Sequence, residues 1–373
     1  MTIVYLKFQR ILYILRVLGT FTNTWPLYPD IGKNEYILRN IYYYVAIFIL
    51  MAVWIPMVIG AYKNRNDVGV LMKNMSHIAA FTEAILNSIL CRIKKKQLQD
   101  LVVNIEKFVK VSKNYEKAVL QKYMNRYGTF ISTVAISFVM AGITVICAPM
   151  FLPLEFPIDV WYPFSTKPPL LKFILYFMQI FVITHTVFCI GVDVMIAVIL
   201  FYSSAKLEIL TFEIQRTTNE IHLISCIRKH QEITKFISKT QYAIQHILFK
   251  TTLTMGFTVI SGCFPMLYIQ SHVLIPQFLS MIMAALQRMY ITAWAANDLK
   301  EISIQFTWSV YSAPWICESQ KVKSNIFMIL QGSQKPILIS MSGLLPALTL
   351  EYFASFLTSV LSYFMTMRAA ITT

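Results

Sequence analysis

Three ionisable residues, Glu83, Asp193 and Arg288, stand inside long apolar stretches of this chain. A charge at the centre of a membrane helix costs about 2.5–3.5 kcal/mol on insertion scales, so each needs compensation. Arg288 lies midway along its stretch, and a carboxylate from Glu83 or Asp193 is its expected partner inside a helical bundle. Ion pairing is the chemistry these residues offer, with ion coordination as the alternative. A second pattern is a hydroxyl stripe, Ser355, Ser359, Ser362, Thr366 and Thr373, whose spacing puts it on one helix face. A membrane helix needs no polar stripe to face lipid, so this one is expected to face water or another helix, as a pore-lining segment does.

Side-chain pairs one turn apart suggest a third kind of site. His77 with Phe81, Met140 with Thr144, Phe181 with His185 and Met283 with Gln287 each occupy one face of an expected helix. If those faces converge, they enclose an apolar cavity with a few polar groups, suited to a small volatile or hydrophobic molecule. Packing within the bundle is the plainer role for each pair.

Signatures of catalysis are missing. The sequence has no Gly-rich phosphate loop, His-Glu-x-x-His helix, Cys-x-x-Cys pair or Gly-x-Ser-x-Gly elbow, and its histidines are scattered. No enzyme activity, cofactor, metal site or disulfide framework is expected. Asn74-Met75-Ser76 matches a glycosylation sequon but falls inside an apolar span, out of the transferase's reach.

The elements that position these residues are membrane helices. Of 373 residues, 57% are apolar and only 14% charged, and the mean hydropathy is +0.58, which excludes an ordinary soluble domain. The net charge of +15 comes from short Lys/Arg blocks between apolar runs. That pattern fits cytosolic membrane loops and not a nucleic-acid surface. Seven spans are expected, at 36–62, 68–91, 127–149, 170–202, 246–272, 276–297 and 337–368. Lys7, Arg10 and Arg16 interrupt the N-terminal apolar residues, so residues 1–35 are expected to form an interfacial amphipathic segment without a signal peptide.

Orientation follows from charge. The stretches 1–35, 92–126, 203–245 and 298–336 hold twenty-four Lys and Arg, against four on the alternate side. The positive-inside rule then places the N-terminus in the cytoplasm and the C-terminus outside, opposite to a G-protein-coupled receptor. The one sizeable external connection, 149–169, carries six prolines with Trp161 and Tyr162. It is expected to be stiff and folded against the helix tops, as a lid or as a spacer.

The C-terminal third resembles insect odorant receptors. Ser333-Gln334-Lys335-Pro336 before the last span and Ser362-Tyr363-Phe364 near its end look like that family's two C-terminal signatures. Leu299, Ser303, Tyr311 and Trp315 match its spaced Leu, Ser and Tyr-x-x-x-Trp pattern. Asp193 sits where many relatives carry an acid, whereas Ala296 departs from the family's usual Gly.

The resemblance implies an all-α membrane protein of seven transmembrane helices. Residues 36–297 would form helices 1–6 with a ligand pocket in the outer half, 298–336 a cytoplasmic anchor, and 337–373 the pore-lining helix. It further implies a tetramer around one cation pore, with Thr366 at the narrow outer gate and Ala370 one turn beyond. The family's co-receptor, Orco, carries a long insertion between the fourth and fifth spans. This chain has only about forty residues there, Ser203 to Gln245. It therefore resembles a ligand-tuned subunit that works as a heterotetramer with Orco, surrounded by membrane lipid, in the plasma membrane of olfactory sensory neuron dendrites or cilia. A gustatory receptor would share the architecture, but its Thr-Tyr-x-x-x-x-x-Gln-Phe signature is absent. So are the Asp-Arg-Tyr and Asn-Pro-x-x-Tyr motifs of a G-protein-coupled receptor and the repeats of a transporter.

Overall fold

A computed structural model describes residues 2–26, 32–151, 154–216, 220–268, 274–313, 315 and 319–372. Within these ranges, side chains are not described for 2–8, 68–69, 264–268, 274, 276–277, 367 and 370–372. The chain runs α1 (Thr2–Phe21), α2 (Lys33–Lys63), α3 (Val68–Ile93), α4 (Lys95–Val111), α5 (Asn114–Phe151), α6 (Pro169–Phe188) and α7 (Ile190–Gln215). It continues with α8 (Glu220–Tyr268), α9 (Leu274–Tyr311), α10 (Gln320–Ser333), β1 (Ile339–Met341), β2 (Leu345–Leu348) and α11 (Leu350–Thr372).

Helix α7 is the axis of the bundle. It is buried without interruption from Ile190 to Ala205, and its sequence is apolar on every side, as a helix surrounded by others must be. Its neighbours are chiefly α8 and α9, while α3 packs along α8 and α2 lies outside α3. The expected fourth span is two helices that meet at Cys189, whose N–H reaches the carbonyls of His185 and Thr186 at 3.1 and 3.2 Å. Among the described residues, three helical stretches are long and apolar enough on their own to cross a membrane: Lys33–Lys63, Asn114–Phe151 and Pro169–Gln215.

Two connections expected to be loops are helical. In α4, Leu98, Leu101, Val102, Ile105 and Val109 are buried, a three-four spacing that lays one apolar stripe against α8 and α7. Helix α8 begins at Glu220, far before the expected span, and its 49 residues give it a length of about 74 Å.

The last expected span, 337–368, is not one helix. Ile339 and Met341 pair antiparallel with Leu348 and Leu345, and Ser342 and Gly343 turn the hairpin at φ 57° and 70°, the left-handed pair that matches strand twist. Pro346 lies in β2, where its missing N–H rules out a helix interior. Gln241 of α8 fixes the hairpin with its amide: Nε2 donates to the Ser340 carbonyl at 3.0 Å, and Oε1 accepts from the Ser340 N–H at 3.1 Å. Helix α11 then starts at Leu350, where Thr349 Oγ1 accepts from the Tyr352 N–H at 3.1 Å. Its 23 residues measure about 35 Å, enough for a hydrocarbon core of about 30 Å.

Candidate functional site

Toward the end of the bundle that carries the 154–168 connection, α3, α5, α6, α8 and α9 leave a cavity of about 120 Å³. The space exists because small residues face it: Ala80 of α3, Ala141 and Gly142 of α5, Ala284 and Ala285 of α9. Larger walls come from Phe81, Phe138, Val145, Ile183, Val187, Met255 and Met281. Gly142 also lets α5 approach α6, since a Cβ there would lie 2.6 Å from Val187 Cγ2. The polar lining is sparse: His77, Thr186, Thr258, Ser280 and Arg288. Thr186 and Thr258 each donate their hydroxyl to the carbonyl one turn back, Val182 and Thr254, at 2.8 Å.

Arg288 joins this cavity to a buried charge cluster. Its Nε donates to Asp193 Oδ2 of α7 at 2.5 Å, and a terminal guanidinium nitrogen donates to Glu83 Oε1 of α3 at 2.9 Å. Lys250 Nζ of α8 donates to Glu83 Oε1 at 2.6 Å and to Asn87 Oδ1 at 2.7 Å. Thr254 donates to the other Glu83 oxygen. All four charged side chains are buried, and two cations balance two carboxylates across four helices. Sequence reasoning on the three span charges misses Lys250. The signal was electroneutrality: Glu83 and Asp193 against Arg288 alone leave one negative charge, which a low-dielectric interior does not tolerate.

The 154–168 connection roofs the cavity, with Ile158 in its lining. The Ile158 N–H donates to Gln179 Oε1 of α6 at 3.1 Å, and Gln179 Nε2 donates to the Tyr162 hydroxyl at 3.4 Å. Asp159 pairs with Lys73 of α3, and Lys63 Nζ of α2 lies 3.5 Å from the centre of the Trp161 ring. Gly60 makes room for that tryptophan, because a Cβ there would stand 2.9 Å from Trp161 Cβ. The connection is thus folded against the helix tops, and through Ile158 it contributes to the cavity wall.

Helix α11 packs on α8 and α9 by one face. Val360 packs against a cluster that contains the cavity residues Met255 and Ala285. Ser355, Ser359, Ser362 and Thr366 lie on the exposed face. Ser355, Ser359 and Thr366 donate to the carbonyls of Glu351, Ser355 and Ser362 at 2.9–3.0 Å, so their hydrogens are satisfied within the helix while lone pairs face outward. Thr373 and the side chain of Ala370 lie outside the described residues.

A family model described as 7tm Odorant receptor matches residues 67–360. This chain belongs to that odorant receptor family. Odorant receptor 10 of Aedes albopictus is 26% identical over 149 residues, 40% of either chain. Odorant receptor Or2 of Anopheles gambiae is 24% identical over 150 residues, 39% of this chain and 38% of that one. The matches thus span about two fifths of those relatives' length. The olfactory receptor OR5 from Machilis hrabei superposes with a TM-score of 0.85 over 97% of this chain and 98% of its own, at 17% identity. The same receptor in complex with eugenol gives 0.83 over 97% of each, also at 17%. That likeness is one of fold, and the family is one of receptors and not of enzymes.

Against this odorant receptor fold, the expected cavity residues divide. His77 and Phe81 line the cavity. Met140 and Thr144 are exposed on the far side of α5, and the cavity takes Phe138, Ala141, Gly142 and Val145 in their place. Phe181 and His185 turn toward α1, with ring centres 5.9 and 6.4 Å from that of Phe21, while Ile183, Thr186 and Val187 face the cavity. Met283 is exposed, and Gln287 accepts from Ser137 Oγ at 2.8 Å. On α9 the cavity-facing residues are one position further on, Ala284 and Arg288. One residue is a rotation of about 100°, and a helix with lipid on one side and an apolar core on the other shows no hydropathy difference to fix it.

Proposed function

We propose that this chain is a ligand-tuned odorant receptor subunit that binds a small volatile or hydrophobic molecule in the roofed cavity and gates a non-selective cation channel together with Orco. The observation that carries the reading is the shared packing of Met255 and Ala285 with Val360: the cavity wall and α11 belong to one apolar cluster. A ligand that fits the cavity better in the open state shifts the population toward it, and the displaced wall moves α11. The binding of eugenol by the structurally similar Machilis receptor supports a small-molecule ligand here.

In this reading the N-terminus is cytoplasmic, which the Lys/Arg distribution supports, and the cavity lies in the outer half of the membrane. Residues 298–336 form the cytoplasmic anchor between subunits. Ser355, Ser359, Ser362 and Thr366, with Ala370 beyond them, form this subunit's wall of the pore. The exposure of Ser355, Ser359, Ser362 and Thr366 in the single chain is what a shared pore needs, since the other walls come from partner subunits in a heterotetramer. The receptor works at the plasma membrane of olfactory neuron dendrites or cilia.

The test is co-expression with Orco in an otherwise silent cell, with current recorded across an odorant panel and thiol reagents applied to single cysteines from 355 to 370. Ligand-evoked current that thiol modification alters at stripe positions is the expected result. Current without Orco contradicts the tuning-subunit role, and indifference to modification at every position removes α11 from the pore.

A further inference from the structure

The cavity's polar groups offer mostly lone pairs. The hydroxyl hydrogens of Thr186 and Thr258 are spent on backbone carbonyls of their own helices, which leaves their oxygens as acceptors. Arg288, the one cation among the described lining residues, is held by Asp193 and Glu83. His77 decides the polarity. Its Nδ1 lies 3.0 Å from the Lys73 carbonyl oxygen, and a carbonyl only accepts, so Nδ1 carries the hydrogen. In the neutral imidazole Nε2 is then a bare acceptor. His77 makes no other hydrogen bond among the described residues, and at 7% exposure it lies in the cavity wall with the bulk of its surface away from water.

We propose that the cavity selects compact hydrogen-bond donors, alcohols or phenols of about benzene size, whose hydroxyl donates to His77 Nε2. This rests on the cavity being the ligand site. The size follows from the volume of about 120 Å³, set against an apolar cavity of about 150 Å³ that holds benzene. The hydroxyl follows from the acceptor: a hydrocarbon strips water from Nε2 and returns nothing, so it binds at a disadvantage that a donor avoids.

Equilibrium binding of phenol, anisole and toluene to the full-length receptor complex with Orco, purified in detergent, tests this. Phenol is expected to bind about five- to tenfold more tightly than toluene, with anisole, which cannot donate, close to toluene. His77→Phe should remove the difference, with phenol and toluene then binding alike, and His77→Gln, which keeps an acceptor, should retain part of it. Equal affinity of the wild type for phenol and toluene overturns the proposal, as does a preference that survives His77→Phe. Ala284→Phe fills the cavity and separates the two levels. If phenol and toluene both lose binding there but the wild type does not discriminate, the cavity reading stands and the hydroxyl preference falls. If phenol binding survives Ala284→Phe, both fall.

Discussion

Lys250 Nζ of α8 lies 2.6 Å from Glu83 Oε1 of α3, and Arg288 of α9 reaches the same oxygen at 2.9 Å. One carboxylate therefore ties three helices beneath the cavity. Glu83→Gln keeps the shape but leaves two buried cations facing Asp193 alone, and breaking such a pair costs about 3–5 kcal/mol. A large loss of folded, surface-expressed receptor is expected, read by fluorescence size exclusion and thermal unfolding. Adding Lys250→Met restores balance with the Arg288–Asp193 pair intact, so the double variant should recover most of the loss. A double variant no better than Glu83→Gln alone would show that electroneutrality is not what the cluster supplies.

Gln179 holds the roof by its backbone, accepting from the Ile158 N–H. Gln179→Leu leaves that buried donor without a partner, at a cost of about 1–3 kcal/mol, and loosens the 154–168 connection more than the bundle. Ligand dissociation should quicken, seen as faster decay of current after washout, with little change in melting temperature. By contrast, Lys73→Ala breaks an ion pair whose Asp159 side chain is 54% exposed. Exposed pairs contribute about 0–1 kcal/mol, so its effect should be small and should vanish at high salt. Washout kinetics in Gln179→Leu that match the wild type would remove the roof from the binding mechanism.

The sequence made the packing of residues 298–336 more legible than the cavity. Ser303 is buried, donates to the Lys300 carbonyl at 2.7 Å and accepts from the Ile337 N–H at 3.0 Å. Thr307 donates to the Ser333 carbonyl at 2.7 Å, and the Trp315 indole donates to the Tyr311 carbonyl at 2.9 Å. Motif residues there do fixed hydrogen-bonding jobs, so their pattern can be read directly. Ala284 and Arg288 carry no such mark against Met283 and Gln287, because helix rotation in an apolar bundle depends on packing between elements and not on periodicity. The hairpin was hidden for a related reason: Ile339, Met341 and Leu348 are fully buried, and a short apolar run reads alike as strand or helix.

His230, on the part of α8 beyond the expected span, stacks on Phe306 of α9 with ring centres 5.0 Å apart and planes 4° apart. Burial lowers its pKa below the ordinary 6.5. The unfolded chain then binds its proton at a higher pH than the folded one. The stabilisation is complete above about 6.5 and is lost as pH falls through the folded value. Thermal unfolding should show a lower midpoint at about pH 5.5 than at about pH 7.5, and His230→Phe, which keeps the stack, should flatten that dependence. A slope unchanged in His230→Phe would assign the acid sensitivity to other groups.

Phe356 of α11 lies 3.3 Å from the point where a Cβ on Gly256 of α8 would sit. Gly256 follows the cavity residue Met255, so this contact is a direct route from the cavity wall to α11. Gly256→Ala requires Phe356 to give by a few tenths of an ångström, which a ring edge can do, and current should be nearly normal. Gly256→Val adds two methyl groups beyond that Cβ, and overpacking costs about 1–3 kcal/mol, which α11 can relieve by moving outward. Ligand-evoked current should change markedly while ligand binding, measured on the same purified receptor, stays within about twofold, because Gly256 itself does not line the cavity. Phe356→Leu in the Gly256→Val background should restore gating by returning the space. Gly256→Val with normal surface expression and unaltered current would exclude the α8–α11 contact as the link between cavity and pore.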